Sequence, residues 1–343
     1  MTRRVVRVPS EGPPLLNIFS AGRAGSRASL SLAQMEQIRR TVRRIPEVMV
    51  KVTGGGRGLR AVAAHLAYIS HRGEVELQSD RGEYVSDDRQ KEFLKTWHLE
   101  LSAGQYRPRG TARSVASGIK LVHNVVLAMP AGTPPDKVLA AAKHFAREKF
   151  GAQHRYVMAL HTHQQHPHVH LVVKAERENG RGRLHIDKAM LREWRQDFAQ
   201  MMREQGIAAN ATARSVRGQT KRATKDAFYR TRQRGQSYAL REKLDGVVRE
   251  LSQAKTISDP ARARLLKTRE AVVAGWNAVA AKLESQGEIV LGAEVRYFAM
   301  HLPPVLTDRE RLAAELIQFA KERRSARTRG DDRVRDRTLE RTR

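Results

Sequence analysis

Five histidines fall within the ten positions 161–170, at His161, His163, His166, His168 and His170, in a chain with 13 histidines among 343 residues. Imidazole is the commonest side-chain ligand for a divalent metal. In His168-Val-His170-Leu-Val-Val the rings alternate with apolar residues, and a strand's period of two would send both to one face, with His166 sharing their parity. His161, just upstream, would add a third leg from an adjoining loop. Three imidazoles with coordination positions left open have the layout of a catalytic metal site. A lone strand histidine is usually a surface or satisfied core residue, and His163 or His166 taken singly fits that description. Packing alone gives no reason to gather so many imidazoles in one place.

A second reactive group is Tyr68. The spacing predicts a helix over Leu59 to Ser70, with Leu59, Val62, Leu66 and Ile69 as its apolar stripe. At 100° per residue Tyr68 points roughly 120° away from that stripe, onto a face made of Ala61, Ala64 and His65. A phenol beside small residues can approach a ligand closely, although tyrosine is also a common boundary residue. A three-histidine metal site and a presentable phenol are together the parts for phosphodiester transesterification, in which a phenolate attacks in line while a metal draws charge from the phosphate oxygens.

Composition points to the same kind of substrate. The 64 Lys and Arg against 36 Asp and Glu give a formal charge of +28, which attracts polyanions and releases counterions from nucleic acid. With no cysteine, disulfides and thiolate metal ligands are excluded. No apolar run approaches the length of a membrane span, and residues 1–30 lack the continuous apolar core of a secretory signal. The expectation is a soluble, intracellular protein without membrane insertion.

Stepping outward from the site, ValMetValLysVal at 48–52 alternates like a strand, and Thr53-Gly54-Gly55-Gly56 reads as a turn leading into the Tyr68 helix. GlyGlyGlyArgGlyLeuArg matches neither the Walker pattern nor GxGxxG, so a sharp turn explains the glycines. His123 to Pro130 reads as a strand. Thr133 is a candidate cap for a helix from Asp136 to Phe150, and Tyr156 to Leu160 is a strand that runs into the histidines. Strand, helix and strand at this spacing suit an α+β fold. The segment from Asp80 to Arg113 reads as a polar loop with a short helix near Phe93 to Leu99. A helix is expected from Ser31 to Arg44 in an otherwise basic arm. After Gly218 the chain turns basic, with two aromatics at 221–235, a mixture that suits single-stranded nucleic acid. Helices are expected at Tyr238 to Gln253, Arg262 to Ser285 and Asp308 to Phe319. The last 23 residues hold ten Lys or Arg against five Asp or Glu and are expected to be disordered.

Tyr68 within HisLeuAlaTyrIleSerHisArgGlyGluValGluLeu, followed by HisThrHisGlnGlnHisProHisValHisLeuValVal, resembles the first and third motifs of conjugative relaxases, in particular the plasmid mobilisation and T-DNA border-nicking type. The resemblance runs over about residues 47–218 and continues through Arg183-Leu184, Leu191, Trp194-Arg195, Phe198-Ala199, Gly206-Ile207-Ala208 and Arg214 to Gly218. It implies the fold of the HUH endonucleases, a central antiparallel sheet that carries the histidines, flanked by helices, one of which carries the tyrosine. Here a basic helical extension would follow. It implies Tyr68 as the nucleophile, His161, His168 and His170 as the metal ligands, and a divalent ion, Mg²⁺ or Mn²⁺ with Zn²⁺ as an alternative. It also implies nicking of one DNA strand at a transfer origin, with the 5′ end kept on the tyrosine. Three positions depart from the family pattern. His163 and Gln165 stand where carboxylates are usual, and Lys174 where asparagine is common. His163 and His166 are therefore the candidates to activate Tyr68, with metal-assisted deprotonation as another route.

The resulting division is a basic arm at 1–46, a nicking domain at 47–218, a basic helical region at 219–320 and a basic tail at 321–343. A bacterial cytoplasmic protein is implied, exported with its DNA through type IV secretion, with an accessory DNA-binding protein and a coupling protein as partners. Two other classes stay open. One is a metallo-hydrolase, because His161-Thr-His163-Gln-Gln165-His166 approaches a two-metal motif but has Gln165 at its aspartate position. The other is a non-catalytic basic nucleic-acid binder.

Overall fold

The computed structural model describes residues 29–106, 119–220, 238–252, 261–318 and 321–322. In chain order the first elements are helix α1 (Leu32–Val42), strand β1 (Met49–Gly54), helix α2 (Leu59–Ile69), strands β2 (Leu77–Ser79) and β3 (Tyr84–Val85), and helices α3 (Gln90–Lys95) and α4 (Leu99–Gln105). Strand β4 (Val122–Ala128), helix α5 (Pro135–Phe150), strands β5 (Tyr156–His161) and β6 (His168–Lys174) and helix α6 (Lys188–Glu204) follow.

Residues 36–212 form one compact unit. Its six strands pair in the order β1-β4-β6-β5-β2-β3, and every pairing is antiparallel. This is the expected α+β class, an antiparallel sheet flanked by helices. β6 lies at the centre, and its near-continuous apolar sequence suits a strand covered on both faces.

Alternation along β4, β5 and β6 divides the core. Val125, Leu127, Tyr156, Met158, Val169, Leu171 and Val173 face one way and pack with Phe145 and Phe150 of α5 and Trp194 and Phe198 of α6. Val122, Val157, Ala159 and Val172 face the other way and pack with Val62, Leu66 and Ile69 of α2 and with Leu94, Trp97 and Leu99. The histidines at 161, 168 and 170 share the parity of this second face, which is how the pleat turns a one-dimensional spacing into one side of a sheet.

Local structure departs from the sequence expectations in several places. Thr53 and Gly54 continue β1, and the register shifts between Val52 and Gly54. The glycines that follow serve close approach. A Cβ on Gly55 would lie 2.2 Å from the Val122 carbonyl oxygen, and one on Gly56 2.5 Å from Val62 Cγ2. Thr133 does not cap α5; its hydroxyl donates to Pro130 O at 2.9 Å, and the helix begins at Pro135, where the missing N–H costs nothing. The stretch after Ile69 contains β2, β3, α3 and α4; strands of three and two residues are too short for alternation to reveal. Residues 107–113 of that stretch lie outside the described residues.

From Glu36 onward α1 belongs to the sheet unit. Ile38 and Thr41 are buried, and Asn210 Nδ2 donates to Thr41 Oγ1 at 3.1 Å and to Glu47 Oε1 at 3.1 Å. A buried network of this kind is costly to leave half-made, so this part of the N-terminal arm is tied down.

The second unit takes residues up to Met35 and those from Ala213. It contains helices α7 (Tyr238–Ser252), α8 (Ala261–Ser285) and α9 (Ile289–Met300) and a helical run at 308–318. Residues 214–218 cluster here, where Trp276 Nε1 donates to Val216 O at 2.9 Å and Arg269 Nη2 to Gly218 O at 2.9 Å. Helix α9 had no counterpart in the sequence expectations, because it is apolar nearly all round and shows no periodic stripe. The basic run at 221–235 and residues 323–343 lie outside the described residues. Among the described residues, no helix is long and apolar enough to cross a membrane.

Candidate metal centre and nucleophile

His161 ends β5 and His168 opens β6, and the two are directly paired across the ladder. His161 is therefore a strand residue, not the loop residue expected. His170 lies two residues along β6, opposite Ala159 on one side and Val126 on the other. Opposite and next-but-one strand positions on one face are within reach of each other's rings. The ring centroids are 5.1 Å apart for His161 and His168, 4.5 Å for His161 and His170, and 5.1 Å for His168 and His170. One nitrogen from each ring can be chosen so that all lie within 4.8 Å of one another.

Backbone carbonyls fix two of the tautomers. His161 Nε2 lies 2.7 Å from Ile69 O, and His168 Nδ1 lies 2.9 Å from His166 O. A carbonyl oxygen only accepts, so these nitrogens carry the protons and leave the lone pairs on His161 Nδ1 and His168 Nε2. This is the outer hydrogen bonding that orients imidazole ligands. Burial pushes the His161 ring from the ordinary 6.5 down to about 4 against the opposing Ile69 hydrogen bond, and pushes His170 down to about 3, helped by His161 and His168. Burial also lowers His168. The three rings are neutral at physiological pH, the form that binds metal. Three convergent neutral nitrogen donors fit a divalent cation.

Helix α2 brings the phenol to this centre. Val62, Leu66 and Ile69 are fully buried against the sheet, whereas Tyr68 is 45% exposed. The Tyr68 ring stands edge-on to His170 at a centroid distance of 6.3 Å. It also stacks on His65 at 6.0 Å with 24° between the planes. His65 Nε2 is buried and makes no hydrogen bond among the described residues, and burial lowers this ring's pKa.

His163 and His166 lie in the six-residue turn 162–167 between β5 and β6, and both are exposed. His166 contributes its carbonyl to His168. His163 contacts the rings of His71 and His161 at 4.6 and 5.1 Å. Sequence reasoning gave no role to His65 or His71. His65 was legible from its position three residues before Tyr68, which puts both on one helix face. His71 had no such signal, since the chain leaves the helix before it. A separate cleft of about 470 Å³, lined by Asp80, Lys143, Arg147, Tyr156 and Met158, opens on the other face of the sheet.

Residues 79–207 match the family model for the MobA/VirD2-like relaxase nuclease domain. The chain is 27% identical over 209 residues to the T-DNA border endonuclease VirD2 of Agrobacterium fabrum, covering 57% of this chain and 46% of that protein. It is 27% identical over 208 residues to the VirD2 of Rhizobium radiobacter, covering 57% and 48%. It thus spans about half the length of these relatives. A solved structure concerned with the molecular basis of vancomycin resistance transfer in Staphylococcus aureus aligns over 49% of this chain and 99% of its own, with a TM-score of 0.33 and 12% identity. The family match thus falls on the stretch that carries β5, β6 and their histidines, and it begins after Tyr68.

Proposed function

We propose that this chain is a metal-dependent relaxase that nicks one DNA strand at a defined site by transesterification onto Tyr68. The Tyr68 Oη attacks a backbone phosphorus and displaces the 3′ oxygen. The 5′ phosphate then remains on the tyrosine, and the other fragment leaves with a 3′ hydroxyl. The observation that carries this reading is the approach of the Tyr68 ring to His170 on the sheet face that holds the imidazole triad. A nucleophile and an electrophilic centre on neighbouring elements are what an in-line displacement needs.

His161, His168 and His170 would hold the ion. When bound, a divalent cation supplies positive charge against the non-bridging phosphate oxygens. Three uncharged ligands leave that charge undiminished. By softness the set suits Zn²⁺, Co²⁺ or Ni²⁺, whereas availability in the cell favours Mg²⁺ or Mn²⁺.

The phenol must lose a proton. His65 stacks on Tyr68 and has a neutral, unengaged Nε2, which supports it as an acceptor beside the expected His163 and His166. Single His65→Ala, His163→Ala and His166→Ala variants separate the three, because loss of the true acceptor alone would alter the acidic limb of the rate profile, where a general base becomes deprotonated.

The relatives are T-DNA border endonucleases by name. Carried over, the substrate is a border or transfer origin, and the setting is mobilisation of a plasmid or integrative element from a bacterial cytoplasm. An accessory DNA-binding protein, a coupling protein and export through type IV secretion belong to the same proposal. The formal charge of +28 supports a nucleic-acid partner.

The test uses supercoiled DNA carrying the sequence that flanks the gene, incubated with protein and Mg²⁺ or Mn²⁺ and denatured with and without protease. The expected result is a strand-specific nick with protein on its 5′ end, absent for Tyr68→Phe. Cleavage that survives in Tyr68→Phe would refute the nucleophile assignment and favour the metallo-hydrolase.

A further inference from the structure

A second group of three imidazoles lies beside the first. His71, His161 and His163 each offer one nitrogen, and these nitrogens lie within 4.8 Å of one another. The His71 ring centroid is 4.6 Å from that of His161 and 4.6 Å from that of His163. We infer that His71, His161 and His163 form an alternative position for a late divalent transition ion such as Ni²⁺ or Zn²⁺. Occupancy there excludes occupancy of the His161, His168 and His170 position. The inference goes beyond the nicking reading and does not depend on it.

Three features support the position. The first is the way the backbone delivers His71. After α2 the chain takes left-handed conformations at His71 and Arg72, with φ of 48° and 59°, which non-glycine residues seldom adopt. Amides of Gly73 and Val75 both donate to Ser70 O, at 2.9 and 2.8 Å, and so hold this short reversal. The His71 ring is thereby returned to the sheet beside His161.

The second feature is access. His163 is exposed and His71 partly so, so water can complete the coordination of an ion there. A donor set made of nitrogen alone selects borderline ions over Mg²⁺.

The third feature fixes the relation between the two positions. His161 Nε2 is engaged by Ile69 O at 2.7 Å, so Nδ1 carries the single available lone pair. An ion takes that lone pair into one triad or the other. Loading the outer position therefore withdraws His161 from the inner one.

Ni²⁺ titration by calorimetry, without DNA, tests this in wild type, His170→Gln, His163→Gln and the double variant. Wild type should bind one equivalent. Each single variant should still bind one equivalent, with affinity within about tenfold of wild type, because one triad stays intact. The double variant should bind at least about 100-fold more weakly, as the loss of ligands from both positions requires. Binding by His170→Gln as weak as that of the double variant would overturn the second position. Two equivalents on wild type would overturn the exclusion. Unchanged melting curves show that each variant is folded; if His170→Gln melts early, His168→Gln carries the same expectation. Nicking is not read, so failure here and failure of the relaxase proposal are separable.

Discussion

His161 and His168 face each other across the β5–β6 ladder with ring centroids 5.1 Å apart, and each is oriented by a backbone carbonyl, of Ile69 and His166 respectively. The candidate ion is thus held by a hairpin whose register fixes the ligand spacing. A slip of one residue would turn His168 and His170 to the opposite face.

His168→Ala should weaken divalent-ion binding to the inner triad by at least about 100-fold while His163 is also substituted, as expected when one of three ligands is lost. Calorimetry in the His163→Gln background reads this directly. Retained affinity in that background would mean that the ion is held elsewhere.

Stability should fall with acid in the metal-free protein. His161 titrates at about 4 when folded, against an ordinary 6.5, so between these values the unfolded chain binds more protons. The stability that rests on the neutral ring is complete above pH 6.5. As the pH falls toward about 4 it is lost at about 1.4 kcal/mol per pH unit for this one group. Urea midpoints measured from pH 7.5 to 4.5 should decline through that window, and His161→Gln should flatten the decline. An equally steep decline in the variant would place the titration in other groups.

Leu66→Ala should cost about 2–5 kcal/mol, since the Leu66 side chain is fully buried beneath α2. It should also reduce nicking more than it reduces ion binding, because the ligands lie on the sheet and Tyr68 rides on the helix. Equal losses of both would show that the two halves of the site unfold together.

Gly55→Ala should destabilise the sheet unit by more than the few tenths of a kcal/mol typical of a surface change. The added Cβ meets the Val122 carbonyl oxygen at 2.2 Å and forces β1 away from β4. Gly58→Ala, where a Cβ meets nothing within 4 Å, is the matched control. Equal midpoints for the two would mean that the β1–α2 connection yields without cost.

Much of this was legible in the sequence, and the reason is periodicity. The stripe Leu59, Val62, Leu66 and Ile69 gave α2 and left Tyr68 on the outer face, and the alternation from His168 gave β6 and its ligand face. Short elements were lost, since β2 and β3 hold too few residues for a period to register. So were contacts between distant segments. Nothing local announces that Gly55 lies against Val122, that Asn210 joins Thr41 to Glu47, or that His71 returns to His161. Nor does anything local announce the division after Thr212, because the partners of Val216 and Gly218, Trp276 and Arg269, lie far ahead in the chain.

The three candidate ligands share one hydrogen-bonded ladder, whereas the phenol belongs to a helix joined to that ladder by side-chain packing and by the hydrogen bond from His161 to Ile69 O. Any lifting of α2 from the sheet would widen the 6.3 Å between the Tyr68 and His170 rings, and amide exchange in α2 should report that opening. A substitution far from every reacting atom could slow turnover by loosening this seat, with ion and DNA still bound at full strength.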